Sequence, residues 1–467
     1  MSDGEAATLS VTPPPVGADG KERRREVPRS VHGEWVPPAD RDPVATLAAQ
    51  DKSRVQELVP IRYGRMLSSA FAFYRGGAAV MAADLAAGPD TGLRAQLCGD
   101  AHLSNFGVFS APDRRLVFDC NDFDETLPGP FEWDVKRLAA SIAIAGRERG
   151  FGGRDRRRAL ETTGAAYRES MREFAAMRNL DVWYARVDVE TAKENLRSAL
   201  TAARRREMDR QLDKARAKDS LRALKKLTTT DAEGRLRIVA EPPLITPLSE
   251  LADGTETEGM LRPILDSYTS TLSDDRRRLV ATYDYVDAAR KVVGVGSVGT
   301  RAWIILMLGR GSGDPLFLQA KEAGPSVLEP YLGESEYANH GRRVVEGQRL
   351  MQAASDIFLG WVAAQGLDSQ ARCFYVRQLW DGKGSVDVER MSPDELAMYG
   401  ALCARTLARA HARSGDRAAI AAYLGRGDAF DRAIGEFAER YADQNQRDYE
   451  VLLEAEKEGK IEVERGL

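Results

Sequence analysis

Apolar residues recur at helical spacing through most of this chain. The period predicts a helix from about residue 54, a turn and helix over 128–141, and helices over 154–177, 189–227, 274–291, 337–355 and 396–412, with a charged helical tail to Leu467. The middle of the chain follows another rule. Ala302-Trp303-Ile304-Ile305-Leu306-Met307-Leu308 and residues 316–323 are continuous apolar runs rich in aromatic and β-branched side chains, and they predict two strands around a turn at 309–315. Residues 371–380 read as another strand, running into a hinge, and 238–246 as a short strand and loop. Two further apolar runs flank the turn Pro112-Asp113-Arg114-Arg115. Before about Arg41 the chain is rich in Pro, Gly and charge, a composition that cannot bury enough apolar area to offset the entropy of ordering. Residues 1–42 are therefore expected to be a mobile tail.

Composition narrows the class. With 467 residues, 43% hydrophobic and 30% charged, the chain is long enough for two or more domains with full cores. No run of about 18 apolar residues is present, so no membrane span is expected. The start Met1-Ser2-Asp3-Gly4-Glu5 lacks the features of a signal peptide, which points to the cytoplasm. Cys98, Cys120, Cys373 and Cys403 have no CxxC spacing, so neither a zinc site nor a disulfide framework is expected. A net charge of −4 gives no general pull toward nucleic acid, and the basic run near Arg204 is interleaved with Glu207, Asp209, Asp213 and Asp219, as on a solvated helix.

The candidate chemistry lies in two distant stretches. The first is Gly99-Asp100-Ala101-His102-Leu103-Ser104-Asn105, followed by Leu116-Val117-Phe118-Asp119-Cys120-Asn121-Asp122-Phe123-Asp124-Glu125. Mg²⁺ prefers a few hard oxygen ligands together with phosphate oxygens. Asn105 and one of Asp119, Asp122 or Asp124 suit it, while Asp100 remains to orient an attacking hydroxyl. The second stretch is Gly294-Val295-Gly296-Ser297-Val298-Gly299, followed by the strand at 302–308 and by Lys321 at the end of the next strand. A dinucleotide fold requires a helix directly after such glycines. A strand here instead predicts a glycine turn over phosphates, with Lys321 reaching them. Glu346, and secondly Glu329, are candidates to pair with Lys321. Arg62, Arg65 or Arg75 is a candidate to reach a phosphate or an acidic group, against the alternative that their stems merely pack on aromatic core.

The loop from Gly99 to Asn105 resembles the catalytic loop of the aminoglycoside phosphotransferase and choline kinase branch of the kinase-like superfamily. The carboxylate cluster and Gly129-Pro130-Phe131-Glu132-Trp133-Asp134-Val135-Lys136-Arg137-Leu138-Ala139 are similar to that branch's metal-binding Asp and the segment after it. Spacing back from Asp134 favours Asp122 as the metal Asp, and spacing forward from Asn105 fits Asp119 slightly better; Asp122 is the choice, with Asp119 and Asp124 open. The helix ending Leu407-Ala408-Arg409-Ala410-His411 is similar to the one that normally precedes the catalytic loop. In those families the glycine turn and Lys come first, whereas here they follow about two hundred residues later.

The resemblance thus implies an α+β, two-lobed, protein-kinase-like fold, circularly permuted, with a small antiparallel sheet lobe and a large, mainly helical lobe. Residues 43–290 would hold the catalytic and metal-binding loops, 291–390 the ATP-binding lobe, and 391–467 the helices completing the helical lobe. Roughly from Pro43 to Asp448 the chain also resembles an uncharacterised bacterial family of unknown function. The implied activity is ATP- and Mg²⁺-dependent phosphoryl transfer to a hydroxyl, more in keeping with a small-molecule acceptor than a protein. Asp100 would be the catalytic base, His102 would brace its loop, and Gly294, Gly296, Gly299, Lys321 and Glu346 would hold the nucleotide. A nucleotidyl (AMP) transferase, or a nucleotide-binding pseudokinase or scaffold, are the alternatives.

Overall fold

Helix-forming stretches from the two ends of the sequence meet in one helical body, and the strands between them form its sheet-bearing neighbour. The computed structural model describes residues 19–196, 202–217, 219–251, 254–311, 313–366, 368–379 and 382–467. The chain opens with α1 (Asp19–Glu26) and a 3-10 turn (Arg29–Gly33), then reaches α2 (Ala70–Gly76) and β1 (Arg94–Leu97). β2 (Phe106–Ser110) and β3 (Leu116–Cys120) form the hairpin around Pro112, and β4 (Leu127–Pro130) returns to pair antiparallel with β1. α3 (Phe131–Glu148) is buried without a break from Phe131 to Gly146, charged Glu132, Asp134, Lys136 and Arg137 included. Its run of small residues lets α4 (Gly153–Ala176) and later helices approach closely.

A segment of short elements then runs through α5 (Ser220–Leu227) and the hairpin β5 (Thr228–Thr230) and β6 (Leu236–Ile238) to β7 (Ile245–Pro247) and α6 (Gly254–Ser270). β8 (Asp284–Lys291), β9 (Ala302–Leu308) and β10 (Pro315–Ala323) follow, then α7 (His340–Met351), β11 (Gly360–Gln365) and β12 (Ala371–Gln378). These strands make a six-stranded antiparallel sheet in the order β11-β12-β10-β9-β8-β7. α8 (Pro393–Ser414) starts at a capping box between Ser392 and Glu395 and packs along α4. α9 (Arg417–Leu424) receives α1, and α10 (Ala429–Lys457) closes the body against α3 and α4.

Register decides what each sheet face does. Cross-strand partners place Ala289, Ile304, Leu306, Phe317, Gln319, Lys321, Tyr375 and Arg377 on one face. The opposite face, with Ala288, Ile305, Leu318, Ala320, Phe374 and Val376, is covered by Tyr268 of α6 and its neighbours. On the lysine face, Ile304, Leu306 and Phe317 are packed under Ala223 and Leu227 of α5 and Ile238 of β6.

Mixed α+β architecture with small antiparallel sheets agrees with the pattern; three expectations need correction. Residues 19–42 are not a mobile tail: Arg24 and Arg29 donate to the carbonyls of Tyr423 and Leu424, and His32 bonds the Tyr423 hydroxyl at 2.7 Å. Residues 1–18 lie outside the described residues. The helix expected over 274–291 stops at Val280, and Asp284–Lys291 is a strand, because alternate residues there pair with β9. The sheet accordingly begins before residue 291, at Ile245. Trp380, at the expected hinge, lies outside the described residues. No described helix is long and apolar enough to cross a membrane.

Candidate functional site

The Asp100 loop is fixed from below by buried polar groups. Gly99 follows β1 with a φ of +81°, and a Cβ there would lie 2.3 Å from the Glu125 carbonyl, so this turn admits only glycine. Asp134, in the first turn of α3, accepts from the Cys98 and Gly99 amides at 2.8 and 3.1 Å. His411 of α8 lies against the same carboxylate at 3.3 Å and is itself held by the Tyr167 hydroxyl at 2.8 Å. Tyr399 donates to the carbonyls of Leu103 and Phe106.

The Asp100 carboxylate is one-fifth exposed and receives Arg137 through Nε at 2.8 Å and Nη2 at 2.7 Å. The Arg137 guanidinium in turn lies 3.9 Å over the Tyr74 ring. His102 Nε2 stands 3.6 Å from Asp100 Oδ2. Burial outweighs the carboxylate and lowers the His102 pKa to about 4, so the ring is neutral at neutral pH. Asn105 donates through Nδ2 to the Asp100 carbonyl at 2.5 Å.

The three candidate metal aspartates separate into two kinds. Asp119, within β3, faces the interior: its oxygens accept from Arg409 Nη2 at 2.6 Å, the Cys120 amide at 2.9 Å and the Ala353 amide at 3.0 Å. Asp122 and Asp124, beyond the strand end, face the sheet. Lys321 Nζ lies 2.6 Å from Asp124 Oδ2 and 3.6 Å from Asp122 Oδ2, and Tyr375 donates to Asp124 Oδ1 at 2.6 Å. Burial disfavours the Lys321 ammonium, but the two carboxylates outweigh it and hold its pKa above the ordinary lysine value. Asp122 is likewise drawn below the usual carboxylate range, Lys321, Arg377 and Lys383 together overcoming its burial.

The glycine turn closes over this cluster. Gly294 and Gly299 take φ of +70° and +89°, and Ser297 at the tip approaches Asp124 Oδ2 at 3.4 Å. Arg65 donates to the Gly294 carbonyl at 2.6 Å, Arg54 to that of Val298 at 2.5 Å, and the Val55 amide to that of Gly299. A Cβ on Gly296 would meet the Arg75 carbonyl at 3.3 Å.

Glu346 requires correction. It sits on α7 beside Arg349 at 3.6 Å and Arg342 at 3.9 Å, while both ion pairs of Lys321 go to Asp122 and Asp124. Glu329 instead caps the Ser326 amide and lies near Arg343. The residue α7 sends inward is Arg343, which donates to the carbonyls of Asp124, Thr126 and Gly324 and so fixes the carboxylate loop. Sequence reasoning also missed Tyr375 and Arg377, whose signal was their period-two placement between apolar Phe374 and Val376 on β12. Arg377 donates to Gln319 Oε1 and to the Asn121 carbonyl, each at 3.2 Å.

The oxygen donors available are the Asp122 and Asp124 carboxylates, both paired to Lys321, and the amide oxygen of Asn105. Among the described residues no three His, Cys, Asp or Glu side chains group as a metal cage. Mg²⁺ is usually bound by one or two carboxylates, with water and substrate phosphates filling the remaining positions.

No curated protein and no solved structure matches the chain. Residues 54–455 match a bacterial family described as "Uncharacterized protein conserved in bacteria" (DUF2252). The Asp100 loop, the carboxylate pair, the glycine turn and Lys321 all fall within that span, and the chain belongs to this family.

Proposed function

We propose that this protein is an ATP- and Mg²⁺-dependent phosphotransferase acting on a hydroxyl acceptor, built on a circularly permuted kinase-like fold. One observation carries the reading: Lys321 is bonded to Asp124, 197 positions earlier, beneath a glycine turn. Lysine, carboxylate and glycine turn are the parts that phosphoryl transfer needs in one place. The strand order supports it further, since the lysine lies on the third strand counted from β8, with a helix inserted before the fourth, as in the kinase arrangement.

On this reading Lys321 and the glycine-turn amides hold the phosphates, and Asp122, Asp124 and Asn105 are the residues that would hold Mg²⁺. The ion, when bound, supplies neutralisation of phosphate charge. Asp100, steadied by Arg137, orients the acceptor hydroxyl and takes its proton. Neutral His102 braces the loop. Glu346 is replaced as lysine partner by the aspartates themselves, which would exchange the lysine for the metal when nucleotide enters. The acceptor is a small hydroxylated molecule.

The test is calorimetric titration of ATP with and without Mg²⁺ into wild type, Asp122→Ala and Lys321→Ala. Metal-dependent binding that both variants lose is the expected result; no binding to wild type sinks the reading. A non-catalytic nucleotide-binding role draws on the close Arg137 clamp on Asp100. Asp100→Ala decides between them, because it abolishes turnover and spares binding only in an enzyme.

A further inference from the structure

Arginines are numerous around the glycine turn, and all but one are engaged. Arg62 is fully buried and donates to Asp51 at 2.6 Å and Gln50 at 2.8 Å. Arg54 and Arg65 hold glycine-turn carbonyls. Arg137 grips Asp100, Arg343 grips three carbonyls, and Arg41 bridges Asp84 and Asp448.

Arg75, in the last turn of α2, is the exception. It makes no hydrogen bond or ion pair with any described residue, and its Nε is buried without a partner. Its backbone abuts Gly296, and its guanidinium lies in the fields of Asp100 and Glu389 and of the His102 ring without bonding to them. Burial lowers its pKa, the sign of a cation whose hydration has been reduced and not replaced. A half-buried, unpaired guanidinium between a glycine turn and a carboxylate loop is costly unless an anion completes it. The planar fork suits phosphate oxygens best.

We propose that Arg75 is an anion-binding residue that receives an oxygen of the phosphoryl group passing from nucleotide to acceptor. The inference rests on the phosphotransferase reading. In that step the bond from the γ-phosphorus to the ADP oxygen breaks, the bond to the acceptor oxygen forms, and the acceptor proton goes to Asp100. Arg75 exchanges no proton; it binds charge. Because ADP lacks the group it holds, Arg75 should discriminate between the two nucleotides.

The experiment titrates Mg²⁺–ATP and Mg²⁺–ADP into wild type, Arg75→Ala and Arg75→Gln, with thermal melts to verify folding. Loss of one charge-assisted hydrogen bond predicts ATP binding weakened about 10- to 100-fold. ADP binding should stay within about twofold, and Arg75→Lys should recover part of the loss for ATP. Variants that weaken both nucleotides equally, or neither, overturn the assignment while leaving the phosphotransferase reading intact. Wild type that binds neither nucleotide overturns that reading and the assignment with it.

Discussion

Histidine is scarce in this chain, and three of its four imidazoles, His32, His102 and His411, are buried. His32 is fully buried against Tyr423 and Phe430, and burial, with Lys136 nearby, lowers its pKa to about 3. His102 falls to about 4. Both folded values lie below the unfolded value of 6.5, so the unfolded chain binds more protons between those limits. Their contribution to stability is complete above about pH 6.5 and is lost as pH falls toward 4 and 3. The thermal midpoint should therefore drop on acidification from pH 7 to pH 4. His32→Gln should be less stable at pH 7 yet lose less over that range; an unchanged slope would refute the assignment. Asp119 belongs to the same interior logic. Arg409→Ala leaves its carboxylate buried and unpaired, at a cost of about 3–5 kcal/mol in denaturant unfolding. Asp122→Ala, at a partly exposed position, should cost under about 1 kcal/mol. Sequence alone favoured Asp122 but left Asp119 and Asp124 open, because spacing along a strand end does not say which carboxylate turns inward.

At the scale of elements, the lysine face raises a question of access. Ile304, Leu306 and Phe317 continue the face from Lys321, and α5 with the β5–β6 hairpin covers them. Ile238 is further tied down by its amide, which donates to Asp287 Oδ2 at 2.8 Å. A nucleotide base lying along this face has to displace α5. Amide hydrogen exchange over residues 220–238 should then speed up on adding Mg²⁺–ATP; slower exchange would place the base elsewhere. The strands β9 and β10 were legible because continuous β-branched and aromatic runs leave little choice. β8 was not: its alternation sits directly after the charged helix Asp274–Val280, and short periods of 3.6 and 2 overlap there. Nor could the charge pattern of α7 reveal that Arg343, and not Glu346, faces the site, since both lie on a helix dense in arginine.

At the scale of the molecule, both ends of the sequence serve one helical body. Arg41 lies between Asp84 and Asp448, at 2.5–2.8 Å from each, and His32 lies against α9 and α10. Composition made residues 19–42 look unable to order, because it counts only what a segment can bury by itself, while this one orders on a surface made far downstream. Deleting residues 1–42 should lower the thermal midpoint and raise proteolysis within α9 and α10; a truncated chain that melts as the full one does would show this docking to be dispensable.

The same arrangement sets a schedule for synthesis. α3 leaves the ribosome by residue 148, yet its partners α8 and α10 span 393–457. At about 5–20 residues per second, its apolar surface waits on the order of tens of seconds. His411, which helps fix the Asp100 loop, is also made late. Ribosome-arrested chains ending before residue 393 should stay protease-sensitive through the first 150 residues and bind chaperones, and those released past residue 457 should not. A chain cut short in the cell then carries the Asp100 loop in sequence but not in shape, so the candidate site exists only once the whole is made.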